Sequence, residues 1–91
     1  MAKTVFSETQ DYVICTQVLQ GEFHIHCLVF NWTPSILKKL YLEFARLRDY
    51  ARCSGYEEMY SVSPNPKFCE IFGGHSIGTY KECEVMKWEL K

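Results

Sequence analysis

The sequence predicts an α/β domain of the mixed α+β type, in which one long helix packs on a mixed β-sheet. Two observations carry this prediction: a pair of β-rich runs separated by Gly21, and the amphipathic helix of about five turns that follows them. A helix with a single apolar stripe needs a surface that covers the stripe, and a neighbouring sheet provides one. With the shorter elements that follow, the predicted order is β-β-α-β-α-β(-β), where the brackets mark a closing strand.

The first two strands, residues 11–20 and 22–30, alternate their side chains between two faces. The first run divides into Val13, Cys15, Gln17 and Leu19 against Tyr12, Ile14, Thr16 and Val18. The second run divides into Phe23, Ile25, Cys27 and Val29 against His24, His26, Leu28 and Phe30. A turn at residues 20–22 joins the two runs, and together they predict a β-hairpin.

The long helix is predicted over residues 33–55. Thr33 can cap it, Pro34 suits its first position, and Gly55 can adopt the left-handed conformation that ends a helix. The predicted apolar stripe consists of Leu37, Leu40, Tyr41, Phe44, Leu47 and Ala51. The predicted solvated face consists of Lys38, Lys39, Glu43, Arg46, Asp49 and Arg52.

Three further elements follow the helix. A third strand is predicted at "YEEMYSV", and "SPNP" ends it. Pro66 opens one or two turns of helix in "PKFCEIF", and the glycines at 73 and 74 close them. The remainder predicts two strands or one bent pair about residues 79–84, with Met86, Trp88 and Leu90 as the core face. The strands before and after the long helix are expected to be parallel neighbours joined by a right-handed crossover.

Length and composition indicate one domain over residues 1–91, with residues 1–10 as a loosely ordered or edge segment. At 47% hydrophobic residues the chain can fill a core without a metal or disulfide. A net charge of -1 makes nucleic acid an unexpected partner. Five cysteines, without a CxxC pair or a signal peptide, indicate a reduced, cytoplasmic protein, and no segment predicts a membrane span.

The stretch "NPKFCEIFGGHSIG" and the element order resemble the later part of the GNAT family of N-acetyltransferases. In that family a β-hairpin leads into a long helix, a strand, a short Asn-led helix and a closing pair of strands. Asn65 takes the Asn position, Phe68 and Phe72 the packing positions, and Gly73 and Gly78 the turn positions. The resemblance spans roughly residues 11–91 and implies a GNAT-like mixed sheet.

The chain departs from the family's pattern at the cofactor loop. Family members have an Arg or Gln leading to small residues there, whose amides bind the CoA pyrophosphate together with the helix N-terminus. This chain has "NWTPS" instead, and Pro34 lacks an amide hydrogen. The expected reading is an ordinary capped helix, with Thr33 as the partner of the free amides. The remaining cofactor-binding candidates are Thr33, Ser35, Ile36 and Asn65.

The candidate catalytic residues are Cys69 and His26. Cys69 occupies the position at which family members often carry the tyrosine that protonates the departing thiolate; a buried helix cysteine is the commoner meaning. His26 projects from the same strand face as His24, where it could serve as a general base or lie on a partner-facing strand. The two histidines could also begin a metal site, but no second ligand pair has recognised spacing, and no metal is expected.

The abundance of aromatic residues indicates an interaction surface, because Tyr and Trp combine large area with a polar tip. The candidates are Trp32, Tyr41, Tyr50, Tyr56, Tyr60 and Trp88. A shortened family member lacks room for the opening strand and two helices that build much of the acceptor groove, so a protein partner or a second copy is expected to cover the missing half.

The expected function is therefore macromolecular binding without catalysis. The resemblance extends to acetyltransferase-like accessory proteins of tailed phages, which implies a location in the host cytoplasm or the virion. One alternative is a small acetyl-CoA-dependent N-acetyltransferase with an atypical cofactor loop. In that case the edge of the His24–Phe30 strand would hold the pantetheine arm. The other alternative is an unrelated small α+β interaction module.

Overall fold

A computed structural model describes residues 3–90 of the protein. In chain order the elements are β1 (Thr4–Glu8), β2 (Tyr12–Leu19), β3 (Glu22–Val29), α1 (Pro34–Cys53), β4 (Glu58–Ser63), α2 (Pro66–Ile71), β5 (His75–Tyr80) and β6 (Cys83–Glu89). The architecture is mixed α+β, with a six-stranded sheet, one long helix and one short helix. Residues 1, 2 and 91 of the predicted domain lie outside the described residues.

The strands lie in the order β1-β2-β3-β4-β6-β5. Strands β3 and β4 are parallel and every other neighbouring pair is antiparallel. The prediction that the strands flanking the long helix are parallel neighbours is therefore confirmed. The segment at residues 4–8 is the edge strand β1, so the element order begins with three strands instead of two.

Both helices pack on one face of the sheet. Phe44 of α1 stacks on Phe72, just after α2, with ring centroids 4.5 Å apart, and its ring lies 5.9 Å from that of Trp88 of β6. The largest fully buried side chains form the centre of this core: Trp88, Phe44, Ile14, Ile25, Leu40, Leu47, Met59 and Met86. The face with Tyr12 and Ile14 is thus the core face of β2, and the expected core set of β6 is confirmed.

The predicted caps and turns of the first half are present. The Thr33 hydroxyl accepts a hydrogen bond from the Ile36 amide at 3.2 Å, and Gly55 has the left-handed φ of +96° that ends α1. Gln20 and Gly21 both have positive φ, as a tight hairpin turn requires. The β5–β6 turn has positive φ at two residues that are not glycine, Lys81 and Glu82, and this feature has no glycine signal in the sequence.

The prediction that Glu43 lies on the solvated face of the helix is wrong. Its position falls between Leu40 and Leu47 on the buried stripe, and the residue is only 6% exposed. The carboxylate accepts hydrogen bonds from the Tyr12 hydroxyl at 3.1 Å and from Arg46 Nη1 at 2.6 Å. Tyr41, predicted on the stripe, lies at its edge and is 48% exposed.

Candidate functional site

A cleft opens between β3 and β4, the two parallel strands at the centre of the sheet. Their register contains only Phe23↔Met59 and His24↔Tyr60, whereas β3 pairs with β2 along its whole length. Beyond these two pairs the facing main-chain edges of β3 and β4 carry no mutual register. An extended ligand with its own donors and acceptors could therefore pair with these edges.

The cleft has a volume of about 250 Å³ and passes between the two faces of the sheet. Its inner wall is apolar and lies on the helix side, where Phe44, Phe68 and Trp88 line it. Its outer rim lies on the face without helices and includes His26, Leu28 and Val62. Residues from β3, β4, β6 and both helices meet at this one place.

Cys69 lies within the cleft at 3% exposure. Burial raises the pKa of its thiol, and a hydrogen bond with the Ser63 side chain opposes that change. Burial, together with the neighbouring Cys69 and Cys15 thiols, raises the pKa of Cys27 to about 12. Both cleft thiols are therefore neutral at pH 7; a neutral thiol can donate a proton but is a weak nucleophile.

His26 lies at the outer rim of the same cleft. Its Nε2 is 3.2 Å from Oε1 of Gln17; in the tautomer that donates from Nε2 to this oxygen, Nδ1 is the basic ring nitrogen. Burial, followed by the charges of Lys3 and His24, lowers the pKa of His26, so its imidazole is neutral at pH 7. The structure thus brings both catalytic candidates, Cys69 and His26, to one cleft.

The start of α1 is a closed helix cap. The Thr33 hydroxyl oxygen accepts a hydrogen bond from the Ile36 amide at 3.2 Å, and the Thr33 carbonyl accepts one from the Leu37 amide at 3.0 Å. The prediction that Thr33 caps this helix is confirmed. Asn65 likewise caps α2, accepting from the Phe68 amide at 3.4 Å. Ser35 is exposed beside the α1 cap.

The predicted interaction aromatics divide into three groups. Trp32 and Tyr50 are exposed by 56% and 53%, and Trp32 packs edge-on against Phe68 at the cleft. Tyr56 and Tyr60 are half-buried, and the Tyr60 ring stacks on His24. The prediction that Trp88 belongs to an interaction surface is wrong: it is 1% exposed, and its Nε1 donates to the Phe72 carbonyl at 3.1 Å.

The face of the sheet opposite both helices, termed the open face below, is the feature that sequence reasoning missed. Alternation from the buried core residues assigns to it several apolar side chains, including Val5, Val13, Cys15, Leu19, Leu28, Val62 and Val85. Val5, Leu28 and Val62 are exposed by 55%, 63% and 38%. The sequence shows that side chains alternate along each strand of the hairpin. Only the tertiary structure shows that no helix of residues 3–90 covers the open face.

Comparison with protein-family models, curated proteins and solved structures finds no match to the chain. Within residues 3–90, no helix combines the length and apolar character that crossing a membrane would require. The same residues contain no group of three His, Cys, Asp or Glu side chains placed to hold a metal ion.

Proposed function

We propose that this chain is a degenerate GNAT-like domain that binds a protein partner and does not catalyse acetyl transfer. The open face carries the proposal, because it has exposed apolar side chains on β1, β3 and β4, those of Val5, Leu28 and Val62. Patches of this kind on otherwise polar surfaces mark interaction sites. Trp32 is a further exposed aromatic residue, and its ring packs edge-on against Phe68 of α2.

The element order supports the relationship to the GNAT family. A hairpin leads into the long helix, a parallel strand follows, and an Asn-capped short helix precedes the closing pair of strands. Strands β3 and β4 pair at only two positions. Beyond them lies the cleft in which the resemblance implies that a pantetheine arm would bind. The family's tailed-phage accessory proteins extend the proposal to a phage origin, with the host cytoplasm or the virion as its location.

The closed cap of α1 supports the absence of a CoA-dependent activity. A pyrophosphate site needs several amides free to point at one anion. Here Pro34 has no amide hydrogen, and the Ile36 amide already donates to Thr33. An anion could gain the Ile36 amide only by displacing that internal bond.

Thermal unfolding with millimolar acetyl-CoA or CoA tests this proposal. A ligand that binds only the folded state stabilises it by about 2.7 kcal/mol at a hundredfold excess over Kd. For a domain of this size the midpoint would rise by roughly 10 °C or more. We expect no rise. A rise that Ile36→Pro abolishes, in a variant that still folds, would refute the proposal.

The second candidate function is an acetyl-CoA-dependent N-acetyltransferase, favoured by the meeting of His26 and Cys69 at one cleft. The edge of β3 would hold the pantetheine arm, and the amides of Ser35 and Ile36 would face the pyrophosphate. Cys69 would protonate the departing thiolate, and Nδ1 of His26 would accept the amine proton. A thermal shift with acetyl-CoA, followed by amine acetylation that Cys69→Ala weakens, would establish this activity in place of the first. The remaining alternative is an α+β interaction module that is unrelated to the GNAT family. Such a module would bind a protein partner and show no thermal shift with acetyl-CoA.

A further inference from the structure

The open face changes character along the strands. At one end the cross-strand pairs are apolar or weakly polar, as in Val13↔Leu28 and Val62↔Val85. At the other end three carboxylates collect, those of Glu22, Glu58 and Glu89. The face thus has an apolar end and an acidic end, with Gln17, His24, His26 and Tyr60 between them.

Among the described residues, three carboxylates and one ammonium group lie at the acidic end, and Glu58 also accepts a hydrogen bond from the Tyr60 hydroxyl at 2.7 Å. Nζ of Lys87 lies 2.5 Å from Glu58 Oε2 and 3.4 Å from Glu89 Oε1, so one ammonium group serves two carboxylates. Glu22 has His24 beside it at 3.5 Å, and its side chain is 52% exposed. Glu8 lies beside Val13 at the apolar end, whereas Lys3 lies beyond the Thr4↔Thr16 pair, toward the acidic end. A partner with basic groups at one end would therefore complement the face.

The dimensions of the face suit a helix. Val13 and Leu19 mark its length on β2, a span of about 20 Å at 3.4 Å per residue. An α-helix of about 14 residues has that length at 1.5 Å per residue. Helices on both faces are a common way to cover a central sheet, and here one face has its helices and the other has none among residues 3–90.

We infer that the partner in the proposed binding function presents an amphipathic helix to the open face. Its apolar stripe covers Val5, Cys15, Leu28 and Val62, and its basic residues lie over Glu22, Glu58 and Glu89. This inference rests on the proposed function and names the class of partner. If the positive N-terminal end of the helix lies at the acidic end, the helix dipole adds to the same attraction.

A second copy of this chain fits the face less well. A two-fold axis that brings the apolar end of one copy onto that of the other also brings the two acidic ends together. A two-fold axis that separates the acidic ends instead places each of them over an apolar surface. The first arrangement places like charges against each other, and the second buries carboxylates under an apolar surface. An amphipathic helix with a basic end avoids both.

The test uses two synthetic peptides and the full-length protein. Both are 15-residue helices with the same leucine stripe; one carries three lysines in its first turn, and the other three glutamates. Binding is measured by fluorescence anisotropy, and the site is mapped by amide chemical shifts of isotope-labelled protein. We expect the lysine peptide to bind at least tenfold more tightly at low salt and the difference to shrink in 1 M salt, where the screening length is about 3 Å.

Matched variants locate the site. Leu28→Glu and Val62→Glu replace exposed open-face residues, and each should weaken the lysine peptide at least tenfold. Leu42→Glu changes a leucine that is 69% exposed on α1, on the other side of the sheet, and should leave binding unchanged. Combining Glu22→Gln with Glu89→Gln should reduce the preference for lysine over glutamate. Circular dichroism and the thermal midpoint establish that each variant is folded.

Several results would overturn the inference: absence of binding, equal affinity for the two peptides, or chemical-shift changes confined to the helix side. So would a wild-type dimer in sedimentation that Leu28→Glu converts to a monomer, because the occupant would then be a second copy. None of these outcomes involves acetyl-CoA. A failure here is therefore distinct from a failure of the proposed function, which the cofactor measurement detects.

Discussion

Replacing Gly74 by alanine should destabilise the protein by forcing a methyl group against the indole of Trp88. A Cβ at position 74 would lie 2.8 Å from both Cε2 and Cζ2 of that ring, and 3.2 Å from the Cys69 carbonyl oxygen. Favourable carbon–carbon contacts are about 3.5–4.0 Å, so the ring would have to retreat by roughly 1 Å.

The indole has no room to retreat without breaking other contacts. Trp88 is 1% exposed, its Nε1 donates to the Phe72 carbonyl at 3.1 Å, and its ring centroid lies 5.9 Å from that of Phe44. Overpacking a filled core costs about 1–3 kcal/mol. For a domain of this size that is a fall in thermal midpoint of about 4–8 °C for each kcal/mol.

Gly78→Ala is the matched control. A Cβ at position 78 would have no atom within 4 Å, and its φ is not in the left-handed region. The substitution should therefore be neutral, or stabilise by about 0.4–1 kcal/mol through the unfolded chain. Urea unfolding followed by tryptophan fluorescence compares the two variants with the wild type. If Gly74→Ala unfolds at the same urea concentration as Gly78→Ala, the close packing inferred between Gly74 and Trp88 is refuted.

Four further predictions concern the Thr33 cap, the buried Glu43 carboxylate, and the thiols of Cys27 and Cys53. Thr33→Ala should cost about 0.5–2 kcal/mol and Thr33→Ser much less, as read from thermal unfolding; equal losses would contradict the side-chain cap. Tyr12→Phe should cost about 1–3 kcal/mol, since it removes one donor from the buried Glu43 carboxylate. A double-mutant cycle with Glu43→Gln should give a non-additive total, and additivity would refute the coupling. The raised pKa of Cys27, from 9.0 to about 12, means that the folded state favours the neutral thiol. The stability it contributes is complete below about pH 9 and is lost as the pH rises toward 12, at no more than about 1.4 kcal/mol per pH unit. Urea unfolding across this range should therefore show a flatter decline for Cys27→Ala than for the wild type, and identical slopes would contradict the assignment. Cys53, which is exposed, should react with iodoacetamide in the folded protein while Cys27 does not, as measured by mass spectrometry.

Much of the fold could be predicted because its signals are local. Alternation in residues 12–29, the Thr33–Pro34 start and the glycine that ends α1 each specify an element from a few neighbouring residues. Strand β1 was harder, since a five-residue edge strand has little periodicity, and the bulge between Val5 and Ser7 interrupts what there is. Glu43 was misplaced because a charged residue near the edge of a stripe normally faces water. Its burial depends on Tyr12, which is 31 positions away in the sequence.

The candidate site was predictable only in parts. Cys69 and His26 were each identified, from the Asn65 motif and from strand alternation, but their meeting depends on the separation of β3 from β4. That separation is a tertiary property, because neither strand contains a residue that forbids pairing. The open face has the same origin: alternation shows that both faces of the hairpin carry apolar residues, and only the placement of α1 and α2 decides which face is covered.

The start of α1 is where the two candidate functions part. The cleft alone would suit an extended ligand of either kind, since a pantetheine arm and a peptide both carry amides that pair with strand edges. A CoA-dependent enzyme also needs an anion site at the start of the long helix, where Thr33 already accepts from the Ile36 amide and Pro34 has no amide hydrogen. A protein ligand needs no such site, but it does need an apolar surface beyond the cleft. Leu28 and Val62 provide that surface at the rim, and this favours binding over catalysis.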